Sequence, residues 1–236
     1  MPYFSYYYDP TYFLVLIGVV LSLLASAKVK STFHKYSAMR NARGMTGAEA
    51  ARQVLHGAGI YDVTIEHVSG NLTDHYDPRS KVLRLSDSVY SQTSVAAVGV
   101  AAHECGHAIQ HAKGYAPLKL RSTLVPVANI GAKIAWPLIL VGLLINSQSS
   151  WFIIQAGIIA FSLAVLFQIV TLPVEFNASG RAIRILADTG MMYGDEIVAA
   201  KKVLSAAALT YVASAASSIL QLLRLLLLVG GRRRND

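Results

Sequence analysis

The sequence predicts a mainly α-helical protein with a small β element, an α+β chain that passes through a membrane more than once. Three observations predict it. Of its 236 residues, 54% are hydrophobic and only 14% charged, against about 25% charged in ordinary soluble domains, and the mean hydropathy is +0.45. Apolar runs near the roughly 18 to 20 residues that cross a bilayer core recur at 11–27, 127–145, 151–170 and 206–229. Between the first and second lies a stretch of soluble composition with strand-like alternation at 61–68 and 81–85.

The first apolar run follows MPYFSYYYDP, a Tyr-rich lead suited to a membrane interface. A secretory signal peptide would begin with positive charge, which is absent here, so the run reads as a retained anchor. Lys28, Lys30, Lys35, Arg40 and Arg43 come directly after it and should hold that end in the cytoplasm. The whole chain carries a net charge of +8 and a pI near 9.6. Its basic residues gather at the ends of apolar segments, not on one soluble domain with aromatic platforms, which argues for lipid headgroups and against nucleic acid. A single cysteine, Cys105, excludes an internal disulfide framework and leaves the redox compartment open.

In the water-facing stretch, Thr46 and Glu49 form a capping box for a helix that should run to about His56, where Gly57 and Gly59 stop it. Residues 61–68 and 81–85 read as strands around a Gly70-Asn71 turn. A third helix follows, with Ser94 as N-cap and Gly114 as stop.

That helix contains AAHECGHAIQH at 101–111. Residues four apart share a helix face, so His103 and His107 can offer two imidazole nitrogens to one metal ion, with Glu104 beside them. This is the H-E-x-x-H arrangement, in which two His bind zinc and the Glu takes a proton from the water that attacks a carbonyl. Cys105 lies about 200° round the helix from His103 and reads as a packing residue. His111 stands about 12 Å from His103 along the axis, too far to share the ion. An extended metzincin pattern would need Gly at 110 and His at 113, where the chain has Gln110 and Lys113.

The third ligand must therefore come from elsewhere. The runs at 127–145 and 151–170, joined by the short polar link 146–150, form an antiparallel hairpin that returns the chain to the side it left. Lys133 and Pro137 fall within its first arm. The hairpin brings Glu175 to the same membrane face as His103 and His107, with Pro173 placed to open a new helix and Ala178, Ser179 and Ala182 on the face of Glu175. His, His and Glu are a standard catalytic zinc set. Asp188, Asp195 and Glu196 read as helix ends; a purely helix-capping role is the competing account of Glu175 itself.

Five segments result: an N-terminal membrane anchor at 1–30, a zincin-like catalytic region at 31–123, a transmembrane hairpin at 124–172, a helix carrying the third zinc ligand at 173–205, and a C-terminal apolar helix with a basic tail at 206–236. The tail poses a conflict. Four spans from an outside N-terminus put Arg232, Arg233 and Arg234 outside, against the positive-inside tendency. Either the last helix does not cross, or the charge bias at 28–43 prevails.

Taken together, the LTDHYDP string at 72–78, KVLRLS, VAAHECGHAIQH, LRSTLVPVAN, TLPVEFNAS and AAALTYVA resemble the bacterial YugP-like membrane zinc metallopeptidases over nearly the whole chain. The wider similarity is to gluzincin-type membrane proteases such as the CAAX prenyl proteases and HtpX. The resemblance implies a zincin-like domain built around the H-E-x-x-H helix, Zn2+ on His103, His107 and Glu175, Glu104 as catalytic base, and a polypeptide substrate. The expected function is a multi-pass, membrane-anchored zinc endopeptidase (a hydrolase) of the cell membrane, with its site at the cytoplasmic face. His75, Tyr211 and Arg181 are candidates to steady the oxyanion, and the strand at 81–85 could bind substrate by strand addition. The alternatives are an intramembrane metalloprotease, against which the charged flanks of the motif argue, and a zinc-stabilised scaffold or adaptor, which would have no need of Glu104.

Overall fold

The computed structural model describes residues 9–145 and 150–232. The Tyr-rich lead, residues 146–149 of the hairpin link, and Arg233 and Arg234 lie outside the described residues. In chain order the elements are α1 (Tyr12–Ser37), α2 (Gly47–Gly57), β1 (Thr64–Val68), β2 (His75–Asp77), β3 (Val82–Ser86), α3 (Val95–Ala112), α4 (Ala116–Leu144), α5 (Ser150–Asp188) and α6 (Asp195–Arg232). Four helices, α1, α4, α5 and α6, are long and apolar enough to cross a membrane. The motif helix α3 is not among them.

Two compact units share these helices, one made of 1–24, 124–169 and 213–236, the other of 25–123 and 170–212. In the first, small residues let helices approach closely, the device apolar helices use where lipid offers no hydrophobic drive to associate. A Cβ added at Gly131 would meet Ala160 O at 2.6 Å, and one at Gly157 would meet Ala135 O at 2.9 Å, so α4 and α5 form the expected antiparallel hairpin. Ile139, Ile154, Ile158 and Leu225 fill its core. Ser217 on α6 donates to Gly18 O on α1 at 2.8 Å. Arg224 stacks 4.1 Å over the Tyr12 ring and donates to Thr11 Oγ1 at 3.2 Å. Residue 224 thus lies beside 11–12 and residue 217 beside 18, so here α6 runs antiparallel to α1. An arginine in an apolar helix thus finds its partners at the start of α1.

In the second unit, α2 begins at the expected capping box: Thr46 accepts from Glu49 N and Glu49 accepts from Thr46 N. The sheet has the order β1-β3-β2, with β1 parallel and β2 antiparallel to β3. Leu83 and Leu85 of β3, Leu55 of α2, Val98, Ala101 and Ala102 of α3, Leu186 of α5 and Ala200 of α6 belong to one buried core. Two expectations are corrected. Strand 81–85 is the centre of the sheet, bonded on both sides, so its backbone is not available for strand addition. Pro173 does not open a helix but lies inside α5; a proline is tolerated within an apolar helix where neighbours satisfy the carbonyl it frees.

Candidate metal centre

Helix α3 positions the motif. Its N-cap Ser94 accepts from Ala97 N at 3.1 Å, and α3 ends at Lys113, before Gly114 in the left-handed region with φ 62°. One turn apart, the His103 and His107 rings stand 4.8 Å between centroids at 84° to each other. Between them α3 presses against α5 at Gly106, where an added Cβ would meet Ala178 O at 2.7 Å. That close approach sets the third residue. Glu175 Oε2 lies 3.3 Å from His103 Nε2 and 3.5 Å from His107 Nε2, with the Glu175 side chain only 2% exposed.

Whether zinc fits can be asked of the spacing. Ligand bonds of about 2.0 to 2.2 Å in a tetrahedron separate the ligand atoms by about 3.3 to 3.6 Å. Both His–Glu distances fall in that range, and the three ligand atoms lie within 4.8 Å of one another. Glu175 Oε2 is buried, and the two imidazole nitrogens are the polar atoms set against it. A buried carboxylate oxygen set between two imidazole nitrogens at ligand spacing fits a shared cation.

The far sides of both imidazoles are held. Gln110 Nε2 donates to Val174 O at 2.8 Å and to Asn177 Oδ1 at 3.0 Å, which commits its Oε1 to His107 Nδ1 at 3.1 Å. An acceptor there keeps the proton on Nδ1 and turns the Nε2 lone pair toward Glu175. Ser179 Oγ lies 3.0 Å from His103 Nδ1 and can do the same. Arg121 Nη1 lies 3.3 Å from Glu175 Oε1, which neutralises the outer oxygen while Oε2 faces the histidines. Tyr211 lies within hydrogen-bonding reach of Glu175.

Glu104 is 8% exposed and buried beside the pair. For His107, burial pushes the pKa down, but the carboxylates of Glu175 and Glu104 outweigh it and the net shift is upward. Burial pushes the Cys105 thiol well up, and its Sγ donates to Ala51 O at 3.5 Å in the core, away from the ligands. His111 Nδ1 meets the Tyr76 hydroxyl at 2.8 Å, outside the cluster.

The structure thus brings His103, His107 and Glu175 together, with Tyr211 within reach of Glu175. Arg181 and His75 are occupied elsewhere: Arg181 Nε donates to Asn177 Oδ1 at 2.7 Å, and His75 Nδ1 meets Thr73 O at 2.8 Å. Asp188 closes α5, and Asp195 and Glu196 open α6, as expected of helix ends. Sequence reasoning missed Gln110, Ser179 and Arg121 as supports. Only Gln110 carried a local signal, being three residues beyond His107 on one helix face.

Residues 11–230 match the family described as "Putative neutral zinc metallopeptidase". The chain is 49% identical over 192 residues to the protein named "Putative membrane protease YugP" of Bacillus subtilis, an alignment covering 81% of this chain and 84% of that one. No solved structure matches it.

Proposed function

Since the chain belongs to the YugP-like neutral zinc metallopeptidase family, we propose that it is a membrane-anchored endopeptidase that needs zinc on His103, His107 and Glu175. The observation that carries the reading is the spacing of those three ligand atoms, the two imidazole nitrogens closing on one buried carboxylate oxygen. When bound, zinc supplies a Lewis acid that polarises a carbonyl and raises the acidity of water.

The chain's own residues do the rest. Glu104 follows His103 on α3 and is shielded from bulk solvent; it takes the proton of the attacking water and passes it to the leaving amine. Gln110 and Ser179 keep both imidazoles in the tautomer that presents Nε2. Arg121, 3.3 Å from Glu175 Oε1, orients that carboxylate. Tyr211, within reach of Glu175, is the oxyanion donor in this reading.

The basic residues that follow the first span support a site at the cytoplasmic face. On this reading an antiparallel α6 puts its C-terminal end on the opposite side, and the five basic residues at 28–43 are taken to outweigh the tail in setting orientation. The intramembrane alternative loses support because α3 is not one of the four spanning candidates.

The full chain, purified in detergent, should cleave an unfolded protein substrate in a chelator-sensitive way. Glu104→Gln should keep its zinc and lose cleavage by at least about a hundredfold, the scale of general-base loss. Undiminished cleavage by that variant would remove the mechanism.

A further inference from the structure

A second site lies on the other side of Ser179. Helices α1, α5 and α6 enclose a groove of about 1180 Å³ within the unit that holds the metal centre. Its chemistry is divided. Its apolar lining includes Phe176, Leu209 and Val212. Its basic lining is Lys28 and Lys35 of α1 and Lys201 and Lys202 of α6, and no acidic side chain lines any part of it. Among the described residues none of these lysines has a carboxylate partner, and all four are exposed.

The order of residues along the two helices says what such a groove would take. On α1 the apolar run 11–27 ends and Lys28 begins the basic part; on α6 Lys201 and Lys202 precede the apolar run 206–229. In both helices the lysines therefore stand where a span ends, at the depth of lipid headgroups, while Leu209 and Val212 continue toward the acyl chains. We infer that this groove binds an anionic phospholipid, its phosphate held by Lys28, Lys35, Lys201 and Lys202 and its acyl chains laid along Phe176, Leu209 and Val212. A soluble acidic peptide would match the charge but not the apolar wall at bilayer depth. The site also touches the metal centre, because Ser179 lines the groove and holds His103 Nδ1 at 3.0 Å. A lipid seated there packs against the support of a metal ligand.

The test uses the full chain in an uncharged detergent, offered dioleoylphosphatidylglycerol and dioleoylphosphatidylcholine together, with retained lipid counted by native mass spectrometry. Wild type should retain phosphatidylglycerol in preference to phosphatidylcholine. Lys201→Gln with Lys202→Gln should weaken that retention about 25-fold, at about fivefold per lysine near an anionic headgroup. Leu209→Trp, which narrows the groove and leaves every charge in place, should weaken it too. Lys28→Gln with Lys35→Gln repeats the charge test on α1 if the tryptophan variant does not fold. Equal retention of both lipids would overturn the proposal, as would loss in the lysine variants with none in Leu209→Trp, which would mean a diffuse basic surface. So would an acidic amphipathic peptide that protects Lys201 and Lys202 from acetylation when phosphatidylglycerol does not, since that would give the groove to a polypeptide.

Discussion

Gly106→Ala puts a single methyl group between the two helices that carry the ligands. The new Cβ would lie 2.7 Å from Ala178 O and 3.1 Å from Ala178 Cα, and ordinary contact begins at 3.4 Å. Because the obstruction is backbone and not the end of a flexible side chain, α3 and α5 must separate by about 0.7 Å, the difference between 3.4 and 2.7 Å. That movement separates His103 and His107 from Glu175, three residues before Ala178 on α5. A zinc site tolerates about 0.2 Å in its bond lengths, so the three donors can no longer all reach one ion at full strength. Overpacking should cost about 1 to 3 kcal/mol of stability. Zinc affinity should fall at least about tenfold, and cleavage by about a hundredfold, the cost of an ångström-scale misplacement. The variant is purified in detergent, its secondary structure checked by circular dichroism, and its zinc affinity read by competition with a chromogenic chelator. A folded Gly106→Ala that binds zinc and cleaves like wild type would refute the reasoning that this contact sets the metal site.

Gln110→Ala removes the acceptor on His107 Nδ1 and the two bonds that tie α3 to α5. Zinc affinity should drop about 10- to 100-fold in the same chelator competition, and an unchanged affinity would deny Gln110 its orienting role. Asp74 supplies a pH test. Burial raises its pKa above the ordinary 3.8, partly offset by bonds from Ser86 N and Oγ, with the Glu104 charge adding to the rise. The folded state therefore holds more protons than the unfolded one in the window just above pH 3.8, so this group's contribution to stability falls as pH rises through it. Asp74→Asn should remove that component from denaturation curves taken across the window; a slope that survives in the variant would locate its cause elsewhere.

How much of this was legible in the chain depended on whether the signal was local. Thr46 with Glu49 and Ser94 with Ala97 fix the starts of α2 and α3 within one turn, and both were readable. Hydropathy marks where a bilayer would lie, not where a helix ends. The apolar run begins at 127 but α4 starts at Ala116, with the charged Lys119 and Arg121 inside the helix. The same limit hid the polar start of α6, at Asp195 where the apolar run begins only at 206. β2 escaped notice because its three residues, His75–Asp77, are polar and too few to show alternation.

Within the site, the hairpin topology brought the Glu175 segment to the side of the histidines, and the small residues after it and the common His-His-Glu set singled out Glu175, which lies 3.3 Å from His103 Nε2. Arg121 was not readable. Its role arises from a contact to Glu175 across 54 positions of sequence, and a basic residue near the start of an apolar helix looks the same whether it faces headgroups or a buried carboxylate. Pro173 misled because the rule that places proline in a first turn belongs to helices in water.

The central claim is that one ion is held jointly by α3 and α5, and zinc content read for Glu175→Ala tests it most directly. Purified full chain analysed by inductively coupled plasma mass spectrometry should carry one zinc per wild-type chain, and the variant should lose it to a chelator that leaves wild type loaded. Glu175→Ala retaining one zinc at wild-type affinity would mean that the third donor is another residue, and the account would fail.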